Sequence, residues 1–122
     1  MKTLTTLLAL ALFTTSTLAA DGPIRHVVHF KLKPDADKAQ IAKIVEGFAA
    51  LKGKISQVDA LEFGTNSSPE GLDKGYTHCW IVTFKNAADR DAYLVHPDHK
   101  AFVTLLKPSL EDALVVDFVL QK

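Results

Sequence analysis

Four segments have the apolar pattern of β-strands, and the first of them, residues 24–32, is the clearest. Its side chains fall into two sets at a period of two, which is typical of a strand with two different faces. One face carries Ile24, His26, Val28, Phe30 and Leu32, and the other carries Arg25, Val27, His29 and Lys31. Further strands are predicted at about residues 58–65, 77–84 and 114–120. The last two are apolar on both sides, which predicts that both faces of the sheet are covered.

Helical spacing fills the segments between these strands. After Asp37, apolar residues recur every three or four positions and form one stripe of an amphipathic helix: Ile41, Ile44, Val45, Phe48 and Leu51. Asp37 is expected to cap this helix and Gly53 to end it. Asn86 is expected to cap a second helix over residues 87–94, and Pro97 begins a further helical segment.

The order of elements is therefore β-α-β-β-α-β, which fits an α+β, ferredoxin-like fold with the helices on one sheet face. The other face is also apolar and needs a cover. A second copy of the same sheet is the simplest one, so the pattern predicts a homodimer that closes into an α/β barrel. The alternative is a monomer with an exposed apolar sheet. The residues expected on the dimer face are Val27, His29, Cys79 and Ile81.

The first twenty residues have the character of a secretory signal peptide. Lys2 precedes a short apolar stretch at residues 7–13, and small residues follow up to Ala19 and Ala20. This stretch is too short to span a bilayer, and cleavage is expected after Ala19 or Ala20. The prediction is a signal peptide over residues 1–20 and one periplasmic or secreted domain over residues 21–122, without membrane attachment after cleavage. The alternative is a retained anchor helix.

Composition narrows the classes of function. The 122 residues include 14 basic and 14 acidic side chains, and 48% are hydrophobic. This balance excludes a disordered chain and a nucleic-acid-coating protein. Cys79 is the only cysteine, and its apolar surroundings favour a buried side chain over a reactive thiol. Among five histidines only His96 and His99 have a close ligand-like spacing, so no metal site is predicted, and no cofactor motif is present.

Several short strings occur together in a characteristic order. They are His26-Val27-Val28-His29-Phe30-Lys31, Pro69-Glu70-Gly71-Leu72, Gly75-Tyr76-Thr77-His78, Tyr93-Leu94-Val95-His96-Pro97-Asp98-His99 and Val115-Val116-Asp117-Phe118. Together they resemble the stress-responsive dimeric A/B barrel (Dabb) family over residues 24–120. The resemblance implies a ferredoxin-like homodimer whose two sheets pack into a barrel, in agreement with the argument from the apolar sheet faces.

The same resemblance implies candidate site residues. The family contains plant stress proteins and also a polyketide cyclase that closes its product by aldol condensation. A tyrosine and a histidine carry the chemistry of that enzyme, and the matching positions here are Tyr93 and His99. Other histidines of its pocket region correspond to His26, His78 and His96. The predicted strand faces add three apolar candidates for ligand binding, namely Val28, Phe30 and Trp80.

Two functions fit these residues. One is an exported stress-response module that forms a homodimer and binds at most a small apolar or aromatic ligand. In this interpretation His96 and His99 cap helix ends and hydrogen-bond Tyr93, which holds the junction in place. The other is a lyase, cyclase or isomerase in which His99 accepts a proton and Tyr93 hydrogen-bonds the enolate oxygen. Trp80 is expected to occupy space on the cavity face. A void bounded by His26, His78, Tyr93 and His99 favours the enzyme, whereas a site packed solid by Trp80 favours the module.

Overall fold

The computed structural model describes residues 22–122, so the expected signal peptide at residues 1–20 lies outside the described residues. The strands are β1 (Ile24–Leu32), β2 (Ala60–Thr65), β3 (His78–Phe84) and β4 (Leu110–Val119). The helices are α1 (Lys38–Ala49), α2 (Leu51–Lys54), α3 (Ala87–Val95) and α4 (Pro97–Leu106), with a short 3₁₀ turn at Lys107–Ser109. Within residues 22–122, every helix falls short of the length and apolar character needed to cross a bilayer.

The four strands form one antiparallel sheet in the order β2-β3-β1-β4. Strand β1 is central, and its His26 lies opposite Val82 of β3 and Asp117 of β4. The buried residues of β1 and β3 pack against apolar residues of α1 and α4, so the helices cover one sheet face. The predicted ferredoxin-like α+β fold is confirmed.

Asp37 and Asn86 cap the N-termini of α1 and α3, as predicted. The Asp37 side chain accepts a hydrogen bond from the Gln40 backbone N–H at 2.7 Å, and Asn86 does the same for Asp89 at 2.9 Å. The prediction that Gly53 ends the first helical segment was wrong, because Gly53 lies inside α2. The chain leaves the helix at Ile55, whose fully buried side chain packs into the core.

Strand β4 begins at Leu110, earlier than the predicted start at residue 114. The apolar pattern does not indicate this start, because Glu111 and Asp112 are polar and exposed. Their backbone nevertheless belongs to the sheet, since Asp112 pairs with Lys31 and Leu110 pairs with Leu32 across a register shift. Pairing with a central strand therefore extends β4 beyond its apolar run.

Aromatic rings fill the core beneath α1 and α4. Trp80 is 1% exposed and stacks on Phe48, with ring centroids 4.0 Å apart and planes 3° apart. Phe48 also contacts Phe102 at 4.9 Å and Phe30 at 5.9 Å. Phe63, the cross-strand neighbour of Trp80 on β2, stacks on the indole at 4.6 Å but remains 52% exposed. The aromatic core thus reaches the edge of the sheet at β2.

The sheet face away from the helices is apolar and open. On β4 it carries Leu114, Val116 and Phe118, which are 45%, 53% and 46% exposed. The β1–β4 register places Val27 opposite Val116 and His29 opposite Leu114 on this face. Cys79 and Ile81 of β3 belong to the same face through their pairing with His29 and Val27. We call this surface the outer sheet face.

Candidate functional site

A cavity of about 560 Å³ lies between the sheet and helices α3 and α4. Its apolar lining consists of Val28, Phe30, Phe48, Leu94, Phe102, Val103, Leu106, Leu110, Ala113 and Val115. Six polar or charged side chains face the same space, namely His26, Arg90, Asp91, Tyr93, His99 and Asp117. An apolar enclosure with a few converging polar groups is the usual form of a small-molecule site.

A buried histidine and an aspartate form the sheet side of this polar group. His26 is 6% exposed, and its Nδ1 lies 2.7 Å from Oδ1 of Asp117. Because an ionised carboxylate only accepts hydrogen bonds, Nδ1 of His26 donates. The second oxygen of Asp117, Oδ2, accepts from Nη1 of Arg90 at 3.2 Å, and Nε of Arg90 donates to Asp91 at 3.1 Å. Asp117 therefore connects β1 to α3 through both of its oxygens.

Tyr93 and His99 form the helix side. Tyr93 is 1% exposed, and its ring lies 5.9 Å from that of His26 and 4.5 Å from that of His99. Nδ1 of His99 donates to the Leu94 carbonyl at 3.1 Å. Burial lowers the pKa of His99, reinforced by the nearby imidazoles of His26 and His96 and opposed by the Leu94 hydrogen bond. Burial also raises the pKa of Tyr93, so the phenol keeps its proton at neutral pH.

His96 lies at the junction of α3 and α4 and has a capping role. Its Nδ1 accepts a hydrogen bond from the Asp98 backbone N–H at 3.0 Å, in the manner of a helix N-cap. This side chain is outside the lining of the cavity. The expected capping of this junction by His96 is therefore present, and His99 contributes to both the junction and the cavity. The expected hydrogen bonds from these histidines to Tyr93 are absent among residues 22–122, because His96 pairs with Asp98 and His99 with Leu94.

The structure brings together five of the eight candidate site residues at the cavity. They are His26, Val28, Phe30, Tyr93 and His99. His78 faces the helix side by its pairing with Phe30, but its Nδ1 shares a hydrogen bond with Thr77 Oγ1 at 2.8 Å, away from the cavity. Trp80 lies under Phe48 and Phe63 instead of in the void. The void is therefore bounded by His26, Tyr93 and His99 and is not filled by Trp80, but His78 lies outside its lining.

Three charged residues of the site, Arg90, Asp91 and Asp117, were absent from the sequence-based candidates. A signal for Asp117 exists, because it is the one charged residue in the apolar run 113–120 and shares the face of Val115 and Val119. Arg90 precedes Tyr93 by three residues, which places both on one side of a helix. The partner of Arg90 is set by the packing of α3 on β1, the neighbour of β4 in the sheet.

A second concavity, of about 600 Å³, lies beside β2 and the loop of residues 66–77. Its lining includes His29, Cys79 and Ile81 of the outer sheet face together with Phe63 and Leu72. The Tyr76 hydroxyl donates to Asp112, so this loop is tied to β4. This concavity is separate from the His26–Tyr93–His99 group and opens where a partner sheet is expected.

Fold and cavity together define a class of protein: a ferredoxin-like domain with a largely apolar cavity under its helices and an apolar sheet face on the other side. The model of the stress responsive A/B barrel domain matches residues 24–120. The chain belongs to this family.

Individual relatives agree with the assignment. The chain is 33% identical over 99 residues to the stress-response A/B barrel domain-containing protein HS1 of Arabidopsis thaliana, covering 81% of this chain and 91% of that protein. It is 24% identical over 99 residues to olivetolic acid cyclase of Cannabis sativa, covering 81% and 98%. A dimeric protein of unknown function from Bacteroides fragilis, described as having a ferredoxin-like fold, is similar with a TM-score of 0.67. It is 28% identical, and the match covers 81% of this chain and 97% of that one.

Proposed function

We propose that the chain acts as an exported homodimer that binds a small apolar or aromatic molecule in the cavity between its helices and its sheet. The cavity carries this proposal. About 560 Å³ of space adjoins buried aromatic rings, and imidazole and phenol groups face it. Small-molecule sites typically have volumes of roughly 300–1,000 Å³ with this mixture of apolar wall and sparse polar groups.

Filling the cavity with a side chain tests the binding site. Val103 of α4 lines the void, whereas the next residue, Thr104, is exposed and points away from it. We expect Val103→Phe to abolish ligand-induced thermal stabilisation and Thr104→Phe to retain it, because bound ligand raises stability by mass action. Equal stabilisation of both variants by the same ligand would reject this cavity as the site.

The open outer sheet face supports the homodimer. Leu114, Val116 and Phe118 present a continuous apolar strip that is about half exposed in a single chain. Large exposed apolar patches on soluble proteins usually mark association surfaces. The Bacteroides fragilis relative is described as dimeric, which supports the same assembly here. The proposed dimer packs the two outer sheet faces together.

A charge on the outer sheet face tests the assembly. Ile81 lies centrally on β3 on this face, and an unpaired carboxylate buried there costs several kcal/mol. Ile81→Asp is expected to run as a monomer or to lose solubility in equilibrium sedimentation, while His99→Ala on the opposite side of the sheet remains dimeric. Monomeric wild-type protein at micromolar concentration would reject the dimer, and a stable Ile81→Asp dimer would reject this face.

Export is the part of the proposal that rests on residues 1–20. The basic residue, the apolar stretch and the small residues that follow support cleavage of a signal peptide. Expression of the full chain in a bacterial host and mass spectrometry of the periplasmic fraction test it. The expected product begins at Ala20 or Asp21. An uncleaved cytoplasmic product would reject export.

A second candidate function is acid–base catalysis in the same cavity, favoured by the contact between Tyr93 and His99. The hydrogen bond from Nδ1 of His99 to Leu94 leaves Nε2 as the basic nitrogen of the neutral ring. This nitrogen would take a proton from a carbon next to a carbonyl group, and the Tyr93 hydroxyl would donate to the enolate oxygen that forms. Burial favours the required protonation states, since it lowers the pKa of His99 and raises that of Tyr93.

Proton exchange measures this chemistry without knowledge of the natural substrate. We expect the protein to accelerate exchange of the methyl protons of hydroxyacetophenone in D₂O, followed by NMR. His99→Gln should remove the acceleration, and Lys100→Gln, at an exposed neighbouring position on α4, should not. No acceleration above the buffer rate, or full activity of His99→Gln, would reject the catalytic candidate.

A further inference from the structure

The two imidazoles at the cavity are fixed in the same tautomer. Nδ1 of His26 donates to the Asp117 carboxylate at 2.7 Å, and Nδ1 of His99 donates to the Leu94 carbonyl at 3.1 Å. Each acceptor lacks a proton to give, so each neutral ring carries its hydrogen on Nδ1 and its lone pair on Nε2. Among residues 22–122, neither Nε2 has a hydrogen-bond partner. Both rings therefore offer the cavity a hydrogen-bond acceptor.

Tyr93 brings a hydroxyl group to the same cavity. Its ring contacts both imidazoles, at 5.9 Å and 4.5 Å, and in the part of the chain that the structure describes its hydroxyl is without a partner. A phenol oxygen can donate one hydrogen bond and accept others. A ligand oxygen that carries a hydrogen can satisfy this group, because it donates to Nε2 of one imidazole and accepts from the Tyr93 hydroxyl.

The charges around the cavity oppose an anionic ligand. Arg90 is the one basic side chain among the described lining residues other than the histidines, and it already contacts both Asp91 and Asp117. These three side chains carry a formal net charge of −1, from one arginine and two aspartates. A bound carboxylate would offer only acceptors to two imidazole lone pairs and would lie near two carboxylates.

From these contacts we propose that the cavity selects a neutral aromatic alcohol, a ring with a free hydroxyl group, over the corresponding carboxylate or ether. The inference rests on the proposed binding function and specifies its ligand class. The ring would pack among Phe30, Phe48 and Phe102, which form the aromatic wall of the cavity. The hydroxyl would lie at the His26–Tyr93–His99 group.

Three ligands of the same shape test the proposal: para-propylphenol, para-propylanisole and para-propylbenzoate, titrated calorimetrically at pH 7.5 (a condition chosen as roughly one unit above the ordinary histidine pKa). The phenol is expected to bind most tightly. Loss of the donated hydrogen bond should weaken the ether roughly tenfold, and the benzoate should bind more weakly still. A benzoate or an ether that binds as tightly as the phenol would overturn the inference.

Two tyrosine variants show where the hydroxyl binds. Tyr93→Phe removes the hydroxyl that donates to the ligand oxygen and is expected to reduce the affinities of the phenol and the ether alike, by several-fold. Tyr76→Phe removes the other tyrosine hydroxyl, which hydrogen-bonds Asp112 on the opposite side of the sheet, and should change neither. If Tyr93→Phe left the affinity of the phenol unchanged, the assigned hydroxyl position would be wrong.

The failure of this inference can be separated from the failure of the binding function. If all three ligands bind equally and Val103→Phe abolishes binding of each, the cavity binds small molecules and the selection for a hydroxyl is rejected. If none binds, both the binding function and the ligand class are rejected for aromatic molecules of this size.

Discussion

Replacement of Asp117 by asparagine tests whether the hydrogen bond between His26 and the Asp117 carboxylate stabilises the fold. The substitution keeps the shape of the side chain and removes its charge. Asp117 is 24% exposed, accepts from the almost buried His26 and also accepts from Arg90. In the asparagine variant the amide oxygen still accepts from His26, but the amide NH₂ then faces Arg90, and two donors cannot pair.

The expected loss of stability follows from these two contacts. A hydrogen bond to a charged group contributes about 1.5–3 kcal/mol and a neutral one about 0.5–1.5 kcal/mol, so the His26 contact loses about 1 kcal/mol. The partly exposed pair with Arg90 adds roughly 0.5–1 kcal/mol. The free energy of unfolding of Asp117→Asn should therefore be about 2 kcal/mol lower, which corresponds to a decrease of roughly 8–16 °C in Tm for a domain of this size.

Asp91 provides the matched control because it contacts the same arginine. Its side chain is 66% exposed, and an exposed pair of this kind contributes between about 0 and 1 kcal/mol. Urea denaturation, followed by the fluorescence of Trp80, should give a loss of at most ~1 kcal/mol for Asp91→Asn. Equal losses in the two variants, or an unchanged stability of Asp117→Asn, would refute the role assigned to Asp117.

Three other predictions concern the core, the pH dependence and the outer sheet face. Phe48→Ala should lower the free energy of unfolding by about 3–5 kcal/mol and Phe63→Ala by much less. Both rings stack on Trp80, but Phe48 is 3% exposed and Phe63 is 52% exposed. Denaturation curves of the two variants measure the difference, and similar losses would contradict the prediction. Since burial lowers the pKa of His99, the stability from its neutral form is complete above about pH 6.5 and is lost as pH falls through the lowered value. Thermal melts at pH 7 and pH 5, on either side of about 6.5, measure this loss of stability. The difference in Tm between the two conditions should be smaller in His99→Gln than in the wild type, and an equal difference would count against the role of His99. Cys79, on the outer sheet face, should react with a thiol reagent faster as the protein is diluted below its dimer dissociation constant; a rate independent of concentration would argue against burial of this face.

Local interactions explain why much of the fold follows from the sequence. Strand β1 has two chemically different faces, and the structure places its boundaries where the alternation does, at Ile24 and Leu32. Asp37 and Asn86 cap their helices because each needs only a backbone N–H three residues away. The separation of His26 from His29 on opposite sheet faces also follows from the period of a strand, and so does the apolar outer sheet face.

The tertiary structure decided which of these residues meet. His26 and Asp117 are 91 positions apart and become partners only through the register of β1 and β4. Arg90 joins them because α3 packs on β1, which lies beside β4 in the sheet. Alternation places Trp80 and His78 on the helix-covered face but does not show which way each side chain turns on that face. Trp80 stacks on Phe48 and His78 hydrogen-bonds Thr77, so neither lines the cavity. The periodicity of a chain fixes the face of each side chain, whereas its partners across that face depend on strand register and on where each helix lies.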